Sequence, residues 1–282
     1  MDYVKLSNSI EMPILGLGVY QINDLKECER VVFDALELGY RSIDTASAYC
    51  NETAVGRAIK NSGISRGDLF ITTKIWIQDA GYETALNAFD ISLKNLGLDY
   101  IDLYLIHQPF GDYYGSWRAM EKLYKDSLVR AIGVSNFYPD RLVDLISHNE
   151  ITPMVNQIEI NPFFQQFEAQ KITKEHNIQM ESWASFAEGR NNIFHDELLT
   201  KIGEKYGKTP AQVILRWLIQ RGIVVIPKSV HKSRMAQNFD VFSFRLSDDD
   251  MAQIKMMDTG KSQFLSHTDY ETAKWLTNIK FR

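Results

Sequence analysis

The sequence predicts an α/β fold, a single closed (β/α)8 TIM barrel, and three observations carry that expectation. Short runs rich in Val, Ile and Leu recur along the chain, each is followed by a longer segment of helical period, and there are eight of them. Alternation of this kind demands parallel strands joined by crossover helices, and eight such units in 282 residues suit one barrel better than two separate domains. No Pro/Gly/Ser-rich linker, low-complexity tract or short repeat interrupts residues 1–282, which are therefore read as one domain.

The elements follow in order. SNSIEMP, near the N-terminus, has the turn residues and flanking pattern of a hairpin. The eight strand candidates are ILGLG (14–18), RSID (41–44), LFITTK (69–74), IDLYLIH (101–107), VRAIGVS (129–135), MVNQIEI (154–160), IQMESW (178–183) and IVVIP (223–227). Among the helices between them, DLKECERVVFDALELG should start on Asp24 as cap and stop at Gly39, and YETALNAFDISLKNLG should end at Gly97. The C-terminal segment around DYETAKWLTN is expected as a loop over the barrel mouth.

Composition removes several function classes. A hydrophobic content of 45% with 24% charged residues supports a large core and is not that of a disordered chain. The net charge of −5 provides no global attraction to nucleic acid or to an anionic membrane, so any anion site must be a local cluster of Lys and Arg. The two cysteines, Cys28 and Cys50, form neither a metal-type pair nor a disulfide framework, and no apolar run reaches membrane-spanning length. A soluble protein of a reducing cytoplasm is the expectation. The six histidines fall in no HxH or HExxH pattern, so no metal is expected. GxSxG is absent, and ILGLGVYQ, with Gln21 at the third position, is too weak to be a dinucleotide fingerprint.

Barrel enzymes place their chemistry at the C-terminal ends of the strands. There, Asp44 closes the second run, Lys74 the third and His107 the fourth, and Tyr49 lies just beyond Asp44. Singly, each has an ordinary role as a cap, a solvated or packing group, or a satisfied core histidine. Jointly, complementary groups at three successive strand ends point to one site. A tyrosine with a pKa of about 10 is a poor acid near neutrality. The expectation is that Lys74 lowers it, with Asp44 holding Lys74 and His107 bonding a substrate oxygen, an arrangement suited to delivering a proton to a carbonyl oxygen.

Carbonyl reduction also needs a hydride donor. IPKSVHKSRMAQN (226–238) follows the eighth run, where barrels often grip a phosphate, and Lys228, Ser229 and Arg234 suit a doubly charged one such as the 2′-phosphate of NADPH. Ser135 and Asn136 end the fifth run and Gln157 lies in the sixth, hydroxyl and amide groups able to hold a carboxamide. Trp183, ending the seventh, offers a flat face for a nicotinamide ring.

The chain resembles the aldo-keto reductase superfamily, in particular the prokaryotic-type branch with 2,5-diketo-D-gluconate and glyoxal reductases. The motifs that carry the resemblance are GYRSIDTASAYCNE, ITTKIW, DLYLIHQP, AIGVSNF, NQIEINP and IPKSVHKSRMAQN, in the family's order over nearly the whole chain. It implies an NADPH-dependent reductase of aldehydes and reactive ketones, small dicarbonyls or keto sugars, with Asp44, Tyr49, Lys74 and His107 catalytic and Tyr49 the proton donor. It also implies a cofactor extended across the mouth. Gly18, Val19, Tyr20 and Asp44 then lie on the nicotinamide side, Ser135, Asn136 and Gln157 hold the carboxamide, and Trp183 stacks on the ring. Lys228, Ser229, Val230, Arg234, Gln237 and Asn238 hold the adenosine end, and a monomer is the family expectation.

Tyr20, Trp76 and Phe110, with Tyr49 and His107, are expected to line the substrate pocket. Departures from the family pattern are Gln108 where many members have an aromatic, Ala184-Ser185 after the stacking tryptophan, Gln237 in place of Glu, and Ser127-Leu128 where a helix-ending glycine is common. Two rival readings stand beside the reductase: an NADPH-binding regulatory module with little turnover, and a metal-free isomerase using Lys74 as a Schiff base.

Overall fold

The computed structural model describes residues 2–281. The N-terminal strands β1 (Tyr3–Lys5) and β2 (Glu11–Pro13) pair antiparallel, with Val4 opposite Met12, so the hairpin forms where SNSIEMP placed it. Asn8 at its tip donates from Nδ2 to the carbonyl of Arg130 at 2.9 Å. Arg130 begins a barrel strand, so the hairpin sits at the end opposite the strand C-termini.

Eight parallel strands then follow in chain order: β3 (Leu17–Gly18), β4 (Ser42–Asp44), β5 (Phe70–Ile75), β6 (Ile101–Ile106), β7 (Val129–Ser135), β8 (Val155–Glu159), β9 (Gln179–Trp183) and β10 (Val224–Val225). Each falls within or one residue beyond a run read from the sequence. The ring closes because Gly16 N donates to Val225 O at 2.8 Å and Val225 N to Ile14 O at 2.9 Å. Gly18 lies at this seam, and a Cβ there would meet the Ile226 carbonyl oxygen at 2.7 Å. That approach admits only glycine.

The helices α1 (Leu25–Glu37), α2 (Glu52–Ser62), α3 (Tyr82–Leu96), α4 (Tyr113–Lys125), α5 (Pro139–Ser147) and α6 (Phe167–Glu175) link successive strands, and α7 (Glu197–Tyr206) and α8 (Pro210–Gln220) together link β9 to β10. In α1, Asp24 accepts from Glu27 N at 2.8 Å, and Cys28, Val31, Val32, Ala35 and Leu36 form the buried stripe at helical spacing that packs on the sheet. Gly97 ends α3 in the left-handed conformation at φ 64°. Ser127, after α4, takes the same conformation at φ 61°. A side chain there costs about 1 kcal/mol relative to glycine, which confines that departure from the family pattern to local stability.

At the end of the barrel where the strands begin, the buried carboxylate of Asp102 accepts from Arg66 at 2.6 Å and Arg130 at 2.7 Å and from Ile71 N at 2.9 Å. That end is occupied by structural pairing. Beyond β10 come α9 (Lys232–Phe239), α10 (Asp248–Lys255) and α11 (Tyr270–Asn278). The C-terminal segment expected as a loop is thus partly helical. Asp269 caps α11 by accepting from Thr272 N at 2.9 Å, and Leu276 is buried against Ala48 and Trp76. No helix among the described residues is long and apolar enough to cross a membrane.

Candidate active site

The strand register brings the chemistry-bearing residues to one end. Gly18 lies opposite Asp44 across β3 and β4, Ser135 opposite Gln157 across β7 and β8, and Gln157 opposite Glu181 across β8 and β9. Within β5, period-two alternation puts Lys74 on the same face as Thr72, inside the barrel.

Lys74 is completely buried, and its Nζ reaches Asp44 Oδ1 at 2.5 Å and the Thr45 carbonyl at 2.9 Å. The second oxygen of Asp44 accepts from Gln157 Nε2 at 2.8 Å, and the same amide nitrogen donates to Glu181 Oε2 at 2.9 Å. A buried ion pair is tolerated when hydrogen bonds compensate its remaining donors and acceptors, and this bonding occupies both Asp44 oxygens and two of the three Lys74 N–H donors. Tyr49 stands in the short turn after β4, with its ring centroid 5.1 Å from Lys74 Nζ, 5.5 Å from the His107 ring and 5.0 Å from Tyr20. Asn51 fixes that turn, accepting from Thr45 Oγ1 at 2.7 Å and donating to Val19 O at 2.9 Å. The four residues expected to be catalytic are together.

One expectation is corrected. On balance the Tyr49 pKa is raised and not lowered: burial pushes the phenol well above its ordinary value, and Asp44, Tyr20 and Glu181 push in the same direction. The ammonium stands 5.1 Å from the ring centroid and is paired with Asp44. His107 moves the other way. Burial, then Lys74 and His267, hold its imidazole well below the usual histidine range. At neutral pH the site therefore holds a protonated phenol and a neutral imidazole. Tyr49 Oη makes no hydrogen bond among the described residues.

The groups expected around a carboxamide also converge. Asn136, in the left-handed conformation at φ 63°, donates from Nδ2 to the His107 carbonyl at 3.0 Å and to Ser135 Oγ at 3.1 Å, and its Oδ1 accepts from Trp183 Nε1 at 2.9 Å. Ser135 Oγ donates to Gln157 O at 2.8 Å. Trp183 is held in this row and packs at a tilt against Phe264, 5.4 Å between centroids. Trp76 packs edge-on to His107 at 5.1 Å, and Tyr20 is exposed at the rim. The Val19 side chain, by contrast, is fully buried in the core, so only its backbone faces the site.

Past β10, Ser229 Oγ accepts from His231 N at 3.2 Å, at the start of α9, which has no side-chain cap of its own. Lys232 is committed elsewhere, to Glu37 at 2.7 Å and Asp34 at 3.4 Å. Lys228 and Arg234 are exposed and have no ion pair among the described residues, and Gln237 and the buried Asn238 lie one turn further on. Two unpaired cations, a hydroxyl and an uncapped helix start fit a phosphate, so the residues present match NADPH. Val230 contributes a carbonyl that accepts from Arg30 at 3.0 Å.

The model of the Aldo/keto reductase family matches residues 14–259. The chain belongs to the aldo/keto reductase family. A glyoxal reductase of Bacillus subtilis is 51% identical over 254 residues, 90% of this chain and 91% of that one. Among solved structures, an aldo-keto reductase from a Medee basin deep-sea metagenome is 47% identical with a TM-score of 0.91, over 94% of this chain and 98% of that one. The Bombyx mori aldo-keto reductase in complex with NADP is 34% identical with a TM-score of 0.89, over 97% of this chain and 96% of that one. The barrel, the oxidoreductase class and the NADP cofactor follow for this aldo/keto reductase.

Sequence reasoning passed over two residues. Glu181 is fully buried, and burial with Asp44 nearby raises its carboxyl to about 8. Its signal was present, an acid two residues before Trp183 and so on the same strand face. His267, whose Nε2 lies 2.8 Å from Gln108 Oε1, has no such signal, because it arrives from a distant irregular segment.

Proposed function

We propose that this aldo/keto reductase reduces aldehydes and reactive ketones with NADPH, and that Asp44, Tyr49, Lys74 and His107 perform the proton chemistry. The single observation behind this reading is the protonated, unbonded Tyr49 hydroxyl between a buried Lys74–Asp44 pair and a neutral His107. When bound, NADPH supplies the hydride to the carbonyl carbon.

Everything else belongs to the chain. As negative charge develops on the carbonyl oxygen, that oxygen becomes far more basic than a tyrosinate, so Tyr49 can surrender its proton even with a raised pKa, and the raised value keeps it protonated until then. Lys74, 5.1 Å from the ring, stabilises the resulting tyrosinate, and Asp44 with Gln157 keeps Lys74 in place. His107, being neutral, bonds the oxygen without competing as an acid. Ser135, Asn136 and Gln157 hold the carboxamide, Trp183 covers the ring, Gly18, Val19 and Tyr20 line its other side, and Lys228, Ser229, Val230, Arg234, Gln237 and Asn238 hold the adenosine end. Tyr20, Trp76 and Phe110 form the apolar wall of the substrate pocket.

Lys74 as a Schiff-base nucleophile fits poorly, since its nitrogen is buried and already donates to two acceptors. The glyoxal reductase similarity supports small dicarbonyls as substrates. We read the whole chain as one domain working as a monomer in the cytoplasm, in keeping with its two free cysteines. The test follows NADPH absorbance with methylglyoxal, an aromatic aldehyde and a diketo sugar. Tyr49→Phe should lower kcat roughly 10²–10⁴-fold, the scale of general-acid catalysis, with NADPH affinity kept. Tight NADPH binding with no carbonyl turned over by the wild type would favour the regulatory module.

A further inference from the structure

The buried row that holds Lys74 has a further member. Glu181 on β9 is completely buried inside the barrel, and its Oε2 accepts from Gln157 Nε2 at 2.9 Å. The other hydrogen of that amide nitrogen goes to Asp44 Oδ2 at 2.8 Å, and Asp44 Oδ1 holds Lys74 Nζ at 2.5 Å. Hydrogen bonds therefore run without a break from Glu181 to the ammonium that stands 5.1 Å from the Tyr49 ring. With both of its hydrogens engaged, the Gln157 amino group is held from two sides, whereas a single acceptor would leave it free to pivot.

The charge on Glu181 bears on this row. The titratable and charged groups acting with it are Asp44 from β4, Lys74 from β5 and Tyr49 from the turn after β4. The strands on either side of β9 place the uncharged Gln157 and Val224 opposite it. Lys74, the one cation among these groups, is already paired with Asp44. Glu181 Oε1 is buried without a hydrogen-bond partner among the described residues. A carboxylate with one oxygen unbonded, out of water and beside a second carboxylate, is poorly stabilised, so burial and then Asp44 raise the carboxyl to about 8. Near pH 7 the group is a neutral acid, and above that value it is a second negative charge.

We propose that Glu181 is a positioning residue for proton delivery: as the neutral acid it fixes Gln157, and through Gln157 the Asp44–Lys74 pair, and as the carboxylate it opposes the tyrosinate that carbonyl reduction leaves at Tyr49. The inference rests on the reductase reading of this site and deepens it, by placing the rate of proton delivery under the control of an acid with no exposed surface. Glu181 is one of the groups that push the Tyr49 pKa up, so Tyr49 gives up its proton less readily once Glu181 is charged. Tyr49 and His107 themselves titrate elsewhere, the phenol well above its ordinary value and the imidazole well below.

The test follows single-turnover oxidation of bound NADPH from about pH 6 to about pH 10 in the wild type, Glu181→Gln and Glu181→Leu, with whichever carbonyl of the panel above is reduced fastest. The wild-type rate should fall about tenfold across a midpoint near pH 8, and Glu181→Gln, which keeps an acceptor for Gln157 but cannot ionise, should lack that fall. At pH 7 Glu181→Leu should be about tenfold slower than the wild type, the worth of one hydrogen bond, while the conservative Glu181→Gln stays within about threefold. NADPH affinity measured by fluorescence reports whether each variant is folded. Infrared spectra of the cofactor-free wild type should show a protonated-carboxyl band that vanishes with the same midpoint and is missing in Glu181→Gln. A rate fall that persists in Glu181→Gln, or a wild type lacking that band at pH 7, overturns the proposal and leaves the reductase reading intact. Turnover of no carbonyl by the wild type overturns both.

Discussion

The two ends of the candidate cofactor and substrate groove are built on opposite principles. At the proton-delivery end, Lys74 is completely buried and already paired with Asp44 at 2.5 Å, and the Thr45 carbonyl and the Gln157 amide hold that pair before any ligand arrives. At the phosphate end, Lys228 and Arg234 stand exposed and unpaired, while their neighbour Lys232 is held by Glu37 and Asp34. Chemistry that depends on sub-ångström placement is preorganised by burial. Binding of a highly charged group is left to cations that water solvates until the phosphate replaces it.

Breaking the buried pair should have the largest effect on folding. Lys74→Met leaves the Asp44 carboxylate buried with only the Gln157 amide against it, and losing one partner of such a pair costs about 3–5 kcal/mol. Urea unfolding should show this loss at pH 7. A loss below 1 kcal/mol would mean that the pair is open to water and the contrast between the two ends is false.

The buried end should also respond to pH in a way the exposed end cannot. His267 is depressed from 6.5 to about 4 in the folded chain, so between those values the unfolded chain binds a proton that the folded chain does not. Stability must therefore rise with pH across that window and be lost as pH falls from about 6.5 to about 4, by roughly 3 kcal/mol for this group. His107 is depressed by the same burial and adds in the same direction. Urea midpoints at pH 7 and pH 4.5 should differ less in His267→Phe than in the wild type. An equal difference would place the ring in solvent.

How much of this was legible depended on whether a residue's role is fixed by its strand. Asp44, Lys74, His107, Ser135 and Trp183 each end or nearly end an apolar run, and because barrel strands present their ends to one mouth, position in the run was position in the site. The direction of the Tyr49 shift was not legible. It depends first on how deeply the phenol is buried and then on Asp44, Tyr20 and Glu181 standing near it, none of which spacing encodes. That the Val19 side chain is buried in the core, leaving its backbone to line the site, was not legible either. The helical C-terminal segment was missed because its one buried residue, Leu276, gains its burial in a cluster with Trp76 and Ala48 across the mouth, which no local pattern encodes.

At the phosphate end the expected effects are smaller and selective. On the proposed cofactor reading, Arg234→Ala removes one charge-assisted contact to the 2′-phosphate, an expected loss of about 1.5–3 kcal/mol, or roughly 10- to 150-fold in NADPH affinity. NADH lacks that phosphate, so its affinity should hold. Fluorescence titration with both cofactors checks this, and equal losses would remove Arg234 from the 2′-phosphate.

Lys232 provides the smallest and sharpest comparison, because it lies in the same basic stretch two residues before Arg234 yet its ammonium faces α1. If charge density alone attracted the cofactor, Lys232→Ala and Arg234→Ala would weaken NADPH binding alike. If unpaired cations do so, Lys232→Ala should leave affinity within about twofold, because its charge is already compensated by Glu37 and Asp34. It should cost the fold no more than about 1 kcal/mol, as exposed ion pairs do. Measuring both variants at low and at 0.5 M salt separates the cases: the Arg234 effect should weaken with screening, and the Lys232 effect should be small at either.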